Sequence, residues 1–136
     1  MYQVELDIVK AKMQEFCEEL PSPADENEIE RFSEAFYEVF HLGVPRAYLE
    51  FLRKCNGVEF NGCIIYSSKS IIDSQMDYDF LTEDYIIFAE YDIGWFCMEK
   101  VSGKYCELDK PSAQEVQTFN TFEEMLKRAL LLAVGA

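Results

Sequence analysis

The chain is poor in the residues that build most reactive centres. Its 136 residues include one histidine, one tryptophan, six glycines and four prolines. It has no Gly-rich phosphate loop and no G-x-S-x-G elbow, so nucleotide hydrolysis and serine-hydrolase chemistry lack their usual scaffolding. The single imidazole, His41, sits at an expected helix end, where it can meet the last carbonyls. A zinc site would need several more ligands at suitable spacing, and nothing local supports a Cys–His dyad with Cys55 or Cys63. Basic side chains are also scarce: 12 against 26 acidic ones, for a net charge of −14. Such a field repels nucleic acid, whose phosphates demand Lys and Arg. It favours encounter with basic protein surfaces, and it equally serves plain solubility. No apolar run approaches the ~20 residues needed to cross a bilayer. The opening MYQVELDIVK lacks the basic and apolar blocks of a secretory signal. The expectation is a soluble cytoplasmic protein with no metal and no cofactor.

Cysteine usage agrees. Cys17, Cys55, Cys63, Cys97 and Cys106 are odd in number and contain no C-x-x-C. Four of them fall in expected helices or strands as small apolar residues, which fits a reducing compartment. Cys97 and Cys106 could face each other across a hairpin, a bridge that geometry allows and compartment disfavours.

What the chain does have is core-building material: 49% hydrophobic and 15% aromatic residues. A chain of this length buries roughly two thirds of its unfolded surface, so a single domain over residues 1–136 is expected. Leu6, Val9, Met13, Phe16, Cys17 and Leu20 recur at helical spacing, with Pro21 and Pro23 as the stop. Asp25 and Glu28 form a capping box ahead of a helix striped by Ile29, Phe32, Phe36, Val39 and Phe40, which Gly43 should end. Pro45 suits the first position of a third helix carrying Tyr48, Phe51, Leu52 and Cys55, with Asn56-Gly57 as its stop. From Val58 the pattern changes to β-branched and aromatic runs: 63–66, 85–91, 93–100, 105–108 and a short one near Val116. Asn61-Gly62 interrupts the β segment that begins at Val58, and Ser102-Gly103 supplies hairpin chemistry later. Thr121 and Glu124 form a second capping box before a last helix with Phe122, Met125, Leu126, Ala129, Leu130 and Ala133 inward. The order predicts an α+β fold: N-terminal helices, a mainly antiparallel sheet of about five to six strands, and a C-terminal helix.

Several of these pieces together resemble the SUKH superfamily, which includes Smi/Knr-type cell-wall regulators and bacterial immunity proteins. The pieces are Ile29-Glu30-Arg31-Phe32, Val44-Pro45 (Leu is commoner at the first place), Tyr48-Leu49-Glu50-Phe51-Leu52, Asn56-Gly57 and the stretch from Phe119 to Glu124. The phrase Asn61-Gly62-Cys63-Ile64-Ile65-Tyr66 looks like the YrhA-like branch. The resemblance implies an immunity protein or antitoxin that occludes a cognate toxin, often a nuclease of a polymorphic or contact-dependent system. The alternative is a regulatory or scaffold module of the Smi/Knr type. Neither is an enzyme, and the resemblance transfers no catalytic or interface residue.

The densest polar stretch runs from Asp73 to Asp84, in an expected loop between two strands. As a partner surface, Asp73, Asp77, Asp79, Glu83 and Asp84 would stand where a basic cleft expects phosphates. Glu90 and Asp92 extend that face, with Tyr78, Tyr85 and Tyr91 as candidate anchors. The bland alternative is a solvated loop with Phe80 and Leu81 tucked into the core. Oxygen-bearing residues at the first, third, fifth, seventh and twelfth places from Asp73 invite a calcium reading. Tyr78 in place of the required Gly and Asp84 in place of Glu argue against it. Trp95 is expected to be buried with its indole N–H paired.

Overall fold

The computed structural model describes residues 2–135. Helix α1 (Gln3–Glu15) buries Leu6, Val9 and Met13. It stops well before the prolines, because the backbone turns back on itself at Cys17. There the Glu18 N–H reaches the Met13 carbonyl at 2.9 Å and the Cys17 N–H reaches Gln14 at 3.1 Å. Cys17 is left-handed (φ 59), a closure that usually employs glycine. Phe16 and Cys17 are consequently exposed rather than part of the apolar face.

Helix α2 (Glu26–Phe40) opens on the expected capping box: the Glu28 N–H donates to Asp25 Oδ1 at 2.8 Å, and the Asp25 N–H to Glu28 Oε1 at 3.3 Å. Ile29, Phe32 and Phe36 are buried, whereas Val39 faces solvent. His41, not Gly43, closes the helix: it is left-handed, and its backbone N–H donates to Tyr37 O. Pro45 caps helix α3 (Arg46–Leu52) from one residue outside it, and its carbonyl accepts the N–H groups of Tyr48 and Leu49. The helix ends before Asn56-Gly57, which does different work. Gly57 (φ 93) brings the chain so close to strand β2 (Cys63–Ile65) that a Cβ would stand 2.9 Å from Ile65 O. Asn56 holds the following turn by bonds to Ser68 N–H and Oγ.

The six strands form one antiparallel meander in sequence order. After β1 (Val58–Phe60) and β2 come β3 (Tyr85–Tyr91), β4 (Gly94–Glu99), β5 (Tyr105–Asp109) and β6 (Glu115–Phe119). Asn61 and Gly62, both at positive φ, make the two-residue turn that pairs Phe60 with Cys63. Helix α6 (Phe122–Ala133) follows, with all six expected residues buried. Thr121 Oγ1 accepts the Glu124 N–H, while Glu124 reaches back to the Asn120 N–H rather than to Thr121. The fold is α+β, as the pattern predicts.

Register assigns the two faces of the sheet. Ile65, Ala89, Phe96, Glu107 and Gln117 lie in one row across β2–β6. This face packs on the helices, where Tyr48 touches Phe32, Phe88 and Phe122. Tyr48 is fully buried and donates to Tyr66 O at 2.7 Å, so its hydroxyl carries no unmet polar cost. The adjacent row, Ile64, Glu90, Trp95 and Leu108, alternates to the opposite face. A helical segment covers that face: α4 (Ile71–Gln75), a 3₁₀ turn (Met76–Tyr78) and α5 (Asp79–Thr82).

Candidate functional site

The stretch expected as a loop, 73–84, is therefore mostly helical. Ile71, Gln75, Tyr78 and Leu81 recur at helical spacing and turn toward the sheet, but two of the four are polar, so no apolar stripe advertises the helix. Ser67 and Ser70 start it by exchanging bonds: the Ser70 N–H donates to Ser67 Oγ at 3.1 Å and the Ser67 N–H to Ser70 Oγ at 3.0 Å.

Two side chains tether the segment. Gln75 is buried, and its amide works as a substitute strand. β2 pairs with β3 only at Ala89 and Glu90, which leaves the Ile87 backbone without a neighbouring strand on that side. Gln75 Oε1 accepts the Ile87 N–H at 2.9 Å, and Gln75 Nε2 donates to Ile87 O and Ile71 O, both at 2.8 Å. The second tether is Tyr78, whose hydroxyl donates to Glu90 Oε1 at 2.7 Å. Glu90 also accepts from the Tyr66 hydroxyl and from Lys110 Nζ, the latter at 2.9 Å. Burial opposes ionisation of Glu90, yet these three donors outweigh it and hold the carboxyl below the ordinary glutamate range. Burial and the Glu90 carboxylate push the Tyr78 phenol up to about 12, and Tyr66 further in the same direction.

Trp95 lies beneath this cluster, buried as expected. The rings of Tyr78 and Phe80 stand at 5.2 and 5.9 Å from it, and Lys110 Nζ is 5.3 Å from its centroid. Its indole N–H differs from expectation. It has no partner in full hydrogen-bond geometry, although it is close enough to the Tyr78 hydroxyl to counter part of that phenol's upward shift. Leu81 is buried, whereas Phe80 is 66% exposed.

The candidate residues consequently divide. Asp73, Asp77, Asp79, Glu83 and Asp84 are exposed along the helical segment, and Asp92 is exposed on the β3–β4 turn. That turn adjoins Asn61-Gly62, since a Cβ on Gly62 would stand 3.5 Å from Asp92 Oδ1. Tyr78 and Glu90 are half-buried and spent on each other. Tyr85 is half-buried at the start of β3, its phenol raised by burial. Tyr91 turns to the other face of the sheet, the one that carries Ala89 and Phe96, where it stacks on Phe96 and donates to the buried Glu107, which also accepts from Gln117 Nε2 at 2.8 Å. Gln75, Tyr66 and Lys110, which position the segment, were not recognisable as site residues, because their partners come from other elements.

Electrostatically the region is one-sided. Between Lys69 and Lys100 the chain carries eight carboxylates and no Lys, Arg or His. Two lysines that approach it are occupied: Lys110 on Glu90, and Lys100 on Thr82 O at 2.6 Å. Among the described residues no group of three or more His, Cys, Asp and Glu is arranged to hold a metal ion, and no helix is long and apolar enough to cross a membrane. The four buried thiols, Cys55, Cys63, Cys97 and Cys106, are all shifted upward by burial. Cys97 and Cys106 are register partners on β4 and β5, as expected, and both are free thiols. A groove of about 480 Å³ among Phe16, Phe60, Ile64 and Val134 reaches the same Asn61-Gly62 turn that adjoins Asp92.

No curated protein sequence matches the chain. A family model does, described as the SMI1 / KNR4 family (SUKH-1), over residues 23–128, which takes in α2 through most of α6. With the resemblance in its motifs and the helices–meander–helix architecture, that match places the chain in the SMI1 / KNR4 family (SUKH-1).

Proposed function

We propose that the chain is an immunity protein that neutralises a basic bacterial toxin by binding it stoichiometrically and covering its active site. On this reading it acts as a single cytoplasmic domain of the YrhA-like kind, without turnover, metal or cofactor. Family membership supports a role in protein binding. The observation that carries the proposal is the unbroken acidity from Lys69 to Lys100, displayed on a helical segment that Gln75 and Tyr78 fix to the sheet. A preformed acidic surface steers a basic partner without an ordering penalty at encounter. Asp73, Asp77, Asp79, Glu83, Asp84 and Asp92 supply the charge, Glu90, Tyr78 and Tyr85 lie on the sheet face beneath it, and Tyr91, turned to the other face with Phe96 and Glu107, would join the surface only from its edge.

The test begins at the gene's neighbour. If a secreted protein with a C-terminal toxin domain is encoded there, co-expression of the present chain should restore growth to cells producing that domain. Asp77→Lys, Asp79→Lys and Asp84→Lys together should abolish the rescue. A neighbour that is no toxin, or rescue undiminished by the triple reversal, would favour the regulatory or scaffold alternative or a different face.

A further inference from the structure

The acidic region also carries apolar side chains left in solvent: Met76, Phe80 and Ile93, at 74, 66 and 64% exposure. Met76 lies in the 3₁₀ turn and Phe80 in α5, on either side of the non-helical Tyr78 backbone. Phe80 rests edge-on against Trp95, and Ile93 stands at the turn two residues before Trp95, its carbonyl accepting the Lys110 N–H at 3.0 Å. Neighbouring them in sequence are the exposed carboxylates Asp73, Asp77, Asp79 and Asp92. The tyrosines that sequence reasoning offered as anchors cannot serve as well, because Tyr78 and Tyr91 already spend their hydroxyls on Glu90 and Glu107.

We infer that Met76, Phe80 and Ile93 form the apolar centre of a docking surface for a cationic protein segment that presents leucine-like side chains flanked by lysine or arginine. The inference rests on the protein-binding reading and specifies the chemistry of the bound segment. Charge complementarity selects the occupant. A second copy of this chain would bring like charges together, and nucleic acid would bring more negative charge still, whereas a basic amphipathic segment satisfies both the rim and the centre. Carboxylates at the rim govern the encounter rate. The desolvated apolar contacts at the centre govern how long the complex lasts.

Two short synthetic peptides of equal charge test this, one of lysine and leucine with helical periodicity and one with serine replacing every leucine. Each is titrated into the isotopically labelled full chain, and binding is read by amide shift mapping and calorimetry. The lysine–leucine peptide should bind about tenfold or more tightly than its serine counterpart, with shifts concentrated at 73–84 and 91–95. Met76→Ser with Phe80→Ser should erase that advantage and leave the salt dependence unchanged, while Asp77→Lys with Asp79→Lys should flatten the salt dependence. Both pairs are exposed, and circular dichroism together with the thermal unfolding transition verifies folding. Equal affinity for the two peptides, no binding by either, or shifts on another face would overturn the inference. Toxin rescue that persists in Met76→Ser/Phe80→Ser cells would remove this centre while leaving the immunity reading intact.

Discussion

Replacing Gln75 is the sharpest structural perturbation, because one amide closes three hydrogen bonds in a buried place. Gln75→Met keeps the length and approximate volume but leaves the Ile87 N–H and C=O without partners. Each orphaned buried polar group costs about 1–3 kcal/mol. Partial water entry along the vacant edge reduces the sum, so the expected loss is about 2–4 kcal/mol. At this chain length that corresponds to a Tm lowered by roughly 10 °C. The assay is urea and thermal unfolding, combined with hydrogen exchange at the Ile87 amide, which should lose protection before the amides of β4 and β5. Gln75→Glu gives an internal control. Its ionised carboxylate could accept from Ile87 but not donate, and burial would raise its folded pKa above the unfolded value. The variant should therefore be most stable in acid and weaken as pH rises. A Gln75→Met protein within about 0.5 kcal/mol of the parent, with Ile87 still protected, would refute the substitute-strand role.

Glu90 should show the opposite pH behaviour. Its folded pKa lies below the unfolded value, so its contribution is present above about pH 4.3 and disappears as pH falls through the folded pKa. The stability gap between the parent and Glu90→Gln should be full at neutral pH and close in acid, and a constant gap would contradict this. Gly57→Ala combines a positive φ with a 2.9 Å clash on Ile65 O and should cost about 2 kcal/mol or more, whereas Gly43→Ala, with open space around it, should be nearly neutral in the same unfolding assay. Thiol titration should find one fast-reacting cysteine, Cys17, in the native protein and all five only in denaturant; rapid labelling of Cys97 or Cys106 would mean that β4 and β5 open readily in solution. Where a basic partner toxin is in hand, its association rate should fall steeply with added salt, and a flat profile would argue against steering by the 73–92 carboxylates.

Much of the architecture was legible because the decisive signals are local. The Asp25–Glu28 box, the Asn61-Gly62 turn and the apolar stripe of α6 each need only neighbouring residues, and each formed as expected. The helical course of 71–82 was hidden because its inward face uses Gln75 and Tyr78, whose partners Ile87 and Glu90 come from a strand not yet placed. The same reason concealed which acidic residues are free. Glu90 reads like Asp92 in the sequence, yet one is held by Tyr66, Tyr78 and Lys110 while the other is exposed. Helix ends were misplaced where His41 and Cys17 adopt the left-handed conformation that sequence reasoning assigns to glycine.

Where a toxin domain is encoded beside the gene, titrating the chain into a fixed amount of it is the most direct examination of the proposed stoichiometric, non-catalytic role. Toxin activity should fall linearly and vanish at a fixed molar equivalence, with intact toxin recovered when the complex is dissociated. Complete inactivation at a small fraction of an equivalent, or toxin left chemically altered, would mean that the chain turns over a reaction, and neutralisation by occlusion would be contradicted.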